Sequence, residues 1–363
     1  MASGPRVPGY SITNVDESMA SFVRRLVIDY ASDGPDMFDI TFTNQTAEEQ
    51  TKPTFTDGGG MFASKFKEGD EITIQVGYDS KMTKMIVGEI TGVEAIFKED
   101  EPSQFSVRGF DKLHRLSRGK KQRTFLNMKD SQIAQQIAGE MGLSAEVDDS
   151  AIVHDHVFQN NLSDIDFLYS RARGINFEVD VQDTKLLFKK PQVTGSSVAT
   201  LKWEDNIRKV RFYLSTAFQV SEVQVRGWST KDKKEIVGKA SSSDVYSKMG
   251  GDKSGGEVAT GKYGQGKIVT VVTSDPLQTQ EEADAIAKAR LNELSLNFIT
   301  GEAIVEGDAA IKSNAIVEFQ GVGKKFEGQY YVVNAVHTIR PGNDKQNGYT
   351  TRFTFKRAGV KQM

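Results

Sequence analysis

Two ten-residue segments in opposite halves of this chain share one pattern. The segment from Gly88 to Phe97 matches the segment from Gly328 to His337 position for position. Each is soon followed by a second matching stretch in the order polar, Phe, hydroxyl, apolar, basic: Gln104 to Arg108 in the first half, and Arg352 to Lys356 in the second. The separation is far longer than a solenoid repeat. The pattern therefore predicts two related β-domains with different material between them.

Length and composition limit the remaining choices. A chain of 363 residues is typical of two or three domains, each able to close a core of its own. The net charge is −3, from 46 basic and 49 acidic residues, so no overall field favours nucleic acid or an anionic membrane. There are no cysteines, which excludes disulfides, thiolate metal sites and cysteine nucleophiles. The N-terminal residues lack the apolar core of a signal peptide, which predicts synthesis in the cytoplasm.

Local patterns divide the chain into three predicted domains. Alternating apolar residues predict a first β-domain over 1–115, with a long loop from Asn44 to Glu68. Two amphipathic helices and a hairpin predict a small α+β insert over 116–197, in which Ser163 begins the second helix. A second β-domain covers 198–363. It includes a helix from Thr279 to Asn297 and a mobile insertion at about 229–266 that is rich in Ser, Gly and Lys.

Two motifs suggest ligands but lack the required context. Gly261 to Lys267 matches the phosphate-loop pattern, yet Ile268 replaces the hydroxyl residue that would hold magnesium, and a strand follows instead of a helix. His154 and His156 lie two apart and would share one face of a strand. A zinc site needs at least three placed ligands, so surface decoration is the preferred interpretation of this pair.

Catalytic signatures are also missing. The chain contains no G-x-S-x-G nucleophile elbow, although a pair of carboxylates among 49 acidic residues leaves a glycosidase open. We therefore predict a protein that is not an enzyme and has no catalytic residues, no cofactor and no metal.

A basic run follows the first β-domain and is the candidate contact surface. It is either a solvated linker or an electropositive interface. No aromatic residues are interleaved to stack on single-stranded nucleic acid, so a protein partner is preferred. The candidate interface residues are Lys112, Arg115, Arg118, Lys120, Lys121 and Arg123.

Three segments together resemble a known family. The stretch from Asn161 to Leu168, running into Gly174 to Val179, is similar to the S-D-x-x-F-L and G-x-x-F segment of phage late control D proteins. The stretch from Gln280 to Ala287 resembles their final helix, and Gly328 to His337 resembles their closing G-x-Y-x-V and His strand. The order and spacing extend over about residues 10 to 358, nearly the whole chain.

This resemblance implies a baseplate hub of a contractile phage tail, related to the N-terminal part of VgrG spikes. The implied fold class is mainly β (α+β), with two tube-type antiparallel β-barrel or sandwich domains. The implied assembly is a homotrimer whose six domains form a pseudo-sixfold ring. The implied partners are a hexameric tail tube or tube initiator, a trimeric spike, baseplate wedge proteins and the tape measure protein. A baseplate-associated peptidoglycan hydrolase and the hub part of a secreted VgrG spike are the alternatives.

The same resemblance predicts where the protein is found and how its loops behave. The expected location is the baseplate of a virion or injection particle. VgrG chains continue into an OB-like domain and a β-helical needle, whereas this chain ends at Met363, so the spike is expected to be a separate polypeptide. The two stretches predicted to be mobile are expected to become ordered where they touch neighbouring proteins.

Overall fold

Alternating apolar residues build the first group of strands. The structure, a computed structural model, describes residues 8–43, 65–78, 81–97, 99, 103–229, 232–264, 269–273, 277–342 and 348–361. In the strand from Val23, for example, Ile28 and Tyr30 are buried while Asp29 between them is only half-buried. The elements are β1 (Pro8–Ile12), α1 (Glu17–Ala20), β2 (Val23–Tyr30), β3 (Met37–Thr43), β4 (Glu71–Tyr78), β5 (Lys81–Ile96) and β6 (Gln104–Asp111).

An α+β unit follows, as the sequence predicts. Ser163 accepts a hydrogen bond from the backbone N–H of Asp166 at 3.2 Å, which confirms the predicted start of a helix there. Gly142, at φ +70°, follows the preceding helix. After a 3-10 helix (Lys112–Ser117) come β7 (Lys121–Lys129), α2 (Asp130–Glu140), β8 (Ser144–Val147), β9 (Val153–Leu162), α3 (Asp164–Gly174), β10 (Glu178–Gln182) and β11 (Lys185–Lys189).

The remaining elements return to the main sheet after a second insertion. Of the described helices, none is long and apolar enough to cross a membrane. The elements are β12 (Ala199–Lys202), β13 (Ile207–Leu214), β14 (Glu222–Ser229), β15 (Lys234–Ser241), a 3-10 helix (Ser242–Asp244), β16 (Lys253–Ser254), α4 (Gly255–Tyr263), β17 (Val269–Thr273), α5 (Gln280–Leu296), β18 (Ile299–Glu306), β19 (Ile316–Gln320), β20 (Gly328–Arg340), β21 (Gly348–Arg357) and β22 (Gly359–Val360).

One arrangement of six strands occurs twice in the main sheet. The first module, β1 to β6, has the spatial order β1-β4-β5-β6-β3-β2. The second module has the order β12-β19-β20-β21-β18-β13. Matching the strands by their order along the chain makes the two spatial orders identical. The two modules differ in the direction of one strand pair: β1 is antiparallel to β4, whereas β12 is parallel to β19.

The register confirms that the repeated sequence segments are structural equivalents. In the first module Ala95 lies opposite Phe105, and in the second Ala335 lies opposite Phe353. The adjoining pairs also correspond, since Glu94 faces Ser106 as Asn334 faces Thr354. Both copies therefore use the same residues of the repeat to form the same strand pair. Their β-bulges lie at different positions, between Ile90 and Gly92 in one and between Val332 and Asn334 in the other.

The prediction that residues at about 229–266 form a mobile insertion is wrong for most of that stretch. Strands β14, β15 and β17 form a separate sheet, and α5 packs on it through Val223, Val225, Ala283 and Leu291. A Cβ at Gly238 would lie 2.2 Å from the backbone of Ala283, so this glycine allows close packing rather than mobility. The predicted loop from Asn44 to Glu68 lies outside the described residues up to residue 64.

Candidate functional site

The two modules meet by strand pairing between β2 and β20, which we call the internal joint. Leu26 lies opposite Ile339, Ile28 opposite His337, and Tyr30 opposite Ala335, in antiparallel register. All six side chains are at most 3% exposed. The joint makes one 12-stranded sheet of the two modules and lets a single apolar core run through both.

His337 is a neutral, fully satisfied residue in this joint. Its Nδ1 lies 2.7 Å from the Tyr349 hydroxyl, and its Nε2 lies 2.8 Å from the Ile311 carbonyl. A carbonyl only accepts, so Nε2 carries the proton and Nδ1 accepts from Tyr349. Burial lowers the pKa of His337 to about 3. The histidine is therefore uncharged near neutral pH and supports the joint structurally.

The counterparts of the joint strands have fewer neighbours. By module position, β13 corresponds to β2, and β5 corresponds to β20. Among the described strands β13 pairs only with β18, which leaves its other side as an edge of the sheet. Strand β4 pairs with residues 81–89 of β5. Residues 92–96 of β5 pair with β6 alone in the described part of the chain. We call the free side of β13 the outer edge, and residues 92–97 the open segment.

Burial at equivalent positions shows what the internal joint covers. Ala335 and His337 are fully buried, whereas their counterparts Ala95 and Phe97 are exposed, with Phe97 48% exposed. Val27 of β2 is 5% exposed, and its counterpart on β13, Tyr213, is 59% exposed. The two are counterparts because their partners Asp39 and Thr300 pair with equivalent residues of β6 and β21. The open segment and the outer edge thus present apolar side chains where the internal joint buries them.

An acidic junction lies where the first module, the insert and the second module meet. Carboxylate oxygens of Asp36, Asp111 and Asp180 all lie within 4.8 Å of one another. A cavity of about 190 Å³ adjoins them, and Lys312 of the second module also lines it. The Lys312 ammonium lies 3.3 Å from the Met85 carbonyl and 5.0 Å from the centre of the Tyr30 ring.

The junction carboxyls hold protons more tightly than ordinary acids. Burial raises the pKa of Asp111 to about 8 and that of Asp180 to about 6, and it also raises the pKa of Asp36. Asp111 accepts hydrogen bonds from the backbone N–H groups of Leu113 and Asp36. Three carboxylates so close together could hold a cation, and their oxygens also accept hydrogen bonds from backbone N–H groups of the chain itself.

Most of the predicted basic interface residues contact carboxylates of their own chain. The pairs are Lys112 with Glu71, Arg115 with Glu89, Lys121 with Asp164, and Arg123 with Asp164 and Glu140. Arg118 and Lys120 are exposed. Four residues of the basic run therefore form ion pairs that support the insert and its contact with the first module. The predicted contact surface remains a prediction, centred on Arg118 and Lys120.

The histidine pair does not form one site. His154 is buried, so its interpretation as surface decoration is wrong; it lies 3.2 Å from Asp130 and 2.9 Å from Arg171. Burial opposes ionisation of Asp130, but hydrogen bonds from His154 and Arg171 lower its pKa overall. His156 is exposed. In the phosphate-loop match, α4 precedes the Gly-Lys pair instead of following it.

Sequence reasoning located the repeat but missed the surfaces where its copies differ. Pairing of β2 with β20 joins residues about 300 positions apart, and local periodicity carries no signal for such a contact. The repeat itself held an indirect signal. His337 and Phe97 occupy the same position in the two copies, and the histidine is fully buried whereas the phenylalanine is 48% exposed.

Comparison with known proteins agrees with this architecture. The 43 kDa tail protein of prophage MuSo2 from Shewanella oneidensis superimposes with a TM-score of 0.69 at 14% identity, over 97% of this chain and 98% of that one. A tail protein from Neisseria meningitidis MC58 gives 0.65 at 14% identity, over 97% and 96%. The E. coli c3393 protein, a component of the type VI secretion system, gives 0.59 at 11%, over 98% and 79%.

These structures confirm the mainly β fold that the sequence resemblance predicts. No curated protein matches the chain. The family model that does match is the Alg8 N-terminal domain, over residues 62–341, most of the chain. The chain therefore belongs to the Alg8 N-terminal domain family, and its fold is that of phage tail proteins.

Proposed function

We propose that this protein is a structural hub of a contractile tail or injection machine. Three copies form a ring of six modules, which adapts a hexameric tail tube to a trimeric central spike. Its action depends on interface geometry and uses no catalytic step. The protein acts in the baseplate of the particle, and its partners are the tube, spike and wedge proteins.

One observation carries this proposal: a single chain holds two copies of a six-strand module, joined edge to edge into one sheet. A module that pairs with its own copy through β2 and β20 has the shape of a ring subunit. Two modules per chain, repeated by a threefold axis, supply six nearly equivalent positions. The inserts between β6 and β12 and between β13 and β18 differ, so the same ring has threefold features as well.

The structural neighbours support the proposal through their own descriptions. Two are phage tail proteins, and a third is a component of the type VI secretion system. The shared fold covers nearly the whole of this chain, including both modules and the insert. A baseplate-associated hydrolase has no comparable support in the described residues, whose carboxyl cluster is largely buried.

Mass and imaging test the proposal. Native mass spectrometry of the purified protein, alone and with its cognate spike, is expected to give three times the chain mass of 40.1 kDa. Negative-stain images of that species are expected to show a ring with a central opening. A monomer that stays monomeric with the spike, or one that cleaves peptidoglycan, would contradict the proposal.

A further inference from the structure

We propose that a basic pocket at one corner of the second module binds an acidic, apolar segment of the spike protein. This inference rests on the proposed hub function and names the surface that receives the spike. The pocket, which we call the basic corner, is a cavity of about 790 Å³ between α4 and the end of β13. The residues that line it include Leu214, Val258, Lys262, Phe298, Lys325 and Lys361.

The rim of the basic corner is positively charged, because three lysines reach it from separate parts of the chain. Lys262 lies in α4, Lys325 lies between β19 and β20, and Lys361 follows β22. All three are exposed, and none of the described residues that line the cavity is acidic. The one acidic residue of α4, Glu257, is paired with Lys248 at 2.8 Å. The corner therefore carries a local positive charge in a chain whose net charge is −3.

The walls of the basic corner are apolar and closely packed. Val258 and Lys262 lie four residues apart on α4, so the same face of that helix supplies both an apolar and a charged group to the cavity. Phe298 also lines the cavity and is fully buried. A Cβ at Gly256 would lie 2.1 Å from the Val220 carbonyl oxygen, so α4 packs directly on the neighbouring backbone. The pocket is therefore preformed, with apolar walls and a charged rim.

An equivalent corner exists in the first module, where it is covered. Ile28 and Leu214 are counterparts, because their partners in the adjoining strands pair with equivalent residues of β6 and β21. Two residues further along the chain, Tyr30 therefore corresponds to Thr216, which lines the basic corner. Tyr30 is 3% exposed and lines the smaller cavity of the acidic junction. The corner is thus filled in the first module and open in the second.

The element that covers the first corner indicates what fits the second. It is β10 of the insert, whose sequence from Glu178 to Val181 alternates acidic and apolar residues. Asp180 and Val181 line the junction cavity, and Lys312 lines it too. This fold therefore already places an acidic and apolar segment beside a lysine. The basic corner, with its three lysines, suits a segment of the same character from another protein.

Exposed aromatic residues beside the basic corner favour a protein over a small ligand. Phe218 lies between two lining residues, Ala217 and Gln219, and is 79% exposed. Tyr263 lines the cavity and is 73% exposed. A small molecule confined to the cavity leaves Phe218 in solvent, whereas a chain segment that continues past the cavity covers it. Aromatic residues and exposed apolar patches of this kind are typical of protein interfaces.

The number of open corners selects the spike over the tube. Only the second module has the open corner among the described residues, because β10 covers the equivalent corner of the first. One open corner in each chain gives three in the proposed ring. A hexameric tube presents six equivalent segments, whereas a trimeric spike presents three. The spike therefore matches the basic corners one to one.

Carbodiimide cross-linking tests this assignment, because the reagent joins a lysine amine directly to a carboxylate. In the complex of the trimer with its spike, Lys262, Lys325 and Lys361 should become linked to aspartates or glutamates of the spike. Mass spectrometry of the digested product locates the links, and the linked spike segment should also contain apolar residues. Links to carboxylates of the hub chain alone would overturn the inference and indicate a second copy of this chain as the occupant. A complex with no links from these lysines to the spike would overturn it as well.

Charge reversal supplies a second test. Lys262→Glu with Lys325→Glu should weaken spike binding at least about tenfold at low salt, and the difference from the unmodified chain should shrink at high salt. Lys202→Glu with Lys239→Glu is the matched control, since both residues are exposed and neither lines the cavity. Native mass spectrometry should show the trimer for both variants, which separates loss of spike binding from loss of the ring. Equal spike binding by the two variants would contradict the inference.

Two further outcomes separate the pocket from the proposed function. A small amphipathic molecule that the purified chain retains in native mass spectrometry, and that Lys262→Glu with Lys325→Glu releases, would overturn the inference in favour of a small ligand. In that case the trimer and its binding to the spike would remain, and so would the proposed function. Failure of the unmodified chain to form a trimer with its spike would instead contradict the proposed function.

Discussion

The two modules share a strand order and differ in what lies beside them. In the second module, β20 is covered by β2, and His337 and Ala335 are fully buried. In the first, the same positions of β5 are Phe97 and Ala95, which are exposed. The two segments keep the same pattern, although β20 has a described strand on each side whereas residues 92–96 of β5 have a described strand on one side. The difference teaches that equivalent positions of one repeat can be buried in one copy and exposed in the other, according to the neighbouring strand.

The modules also differ at one connection. In the first module, β2 reaches β3 through the short turn 31–36, whereas in the second, β13 reaches β18 through a sheet of three strands and the helices α4 and α5. The inserted layer has an apolar core of its own, centred on Val223, Val225 and Leu291. Large insertions at a loop leave the six-strand order unchanged, because they need only return the chain to the same place.

The largest losses of unfolding free energy should be similar in the two modules. Phe105→Ala and Phe353→Ala each remove a buried ring from opposite an alanine of the repeat, and each should lower the free energy of unfolding by about 3–5 kcal/mol. Chemical denaturation followed by fluorescence measures both. A large loss for one variant and less than about 1 kcal/mol for the other would show that the modules are not energetically equivalent.

The next pair of substitutions should change the stability of the protein by different amounts in the two modules. Ala335→Asp places a carboxyl in the buried internal joint and should cost at least about 3 kcal/mol of unfolding free energy. Ala95→Asp is the matched change at the exposed counterpart and should alter the stability of the isolated chain by less than about 0.5 kcal/mol. Denaturation of both variants as monomers checks this. Equal losses would mean that the open segment is already covered within one chain.

The acidic junction predicts a smaller, pH-dependent effect. The pKa of Asp111 is raised to about 8 by burial, so its contribution to stability is complete below the ordinary pKa near 4 and is lost as the pH rises through about 8. Between about pH 6.5 and 8 the free energy of unfolding should therefore fall, by up to about 1.4 kcal/mol per pH unit. Asp111→Asn should flatten this slope, and the exposed Glu99→Gln should not.

His337 acts in the opposite direction at lower pH. Because its pKa is lowered to about 3 in the fold, stability is lost as the pH falls below its ordinary value near 6.5. Above pH 6.5 the junction titrates together with Glu178, whose pKa burial raises to about 7, so the comparison with Asp111→Asn is what isolates Asp111. A slope that is unchanged in Asp111→Asn would place the titrating group elsewhere.

The smallest effects concern one helix start in each of the two inserts. Thr279 accepts a hydrogen bond from the backbone N–H of Glu282 at 3.2 Å at the start of α5, so Thr279→Ala should cost about 1 kcal/mol. Ser163→Ala at the start of α3 is the matched change in the other insert and should cost a similar amount. Thermal unfolding measures both variants, and a loss above about 3 kcal/mol would indicate a role beyond capping.

Sequence patterns were sufficient to predict the elements that are determined by neighbouring residues in the chain. The start of α3 at Ser163 and the helix from Thr279 follow from capping residues and apolar stripes, and both are confirmed. The repeat led to the correct strand pairs, because Ala95 and Ala335 carry the same register. Composition misled at 229–266, where glycines such as Gly238 serve close packing. The buried pairing of His154 with Asp130 and the acidic junction depend on contacts distant in sequence, which spacing does not reveal.

The most direct test of the account is a cryo-EM map of the purified protein with its spike. We expect three chains in a ring of six modules, with β2 beside β20 within each chain. A particle without six equivalent module positions would contradict the proposed hub.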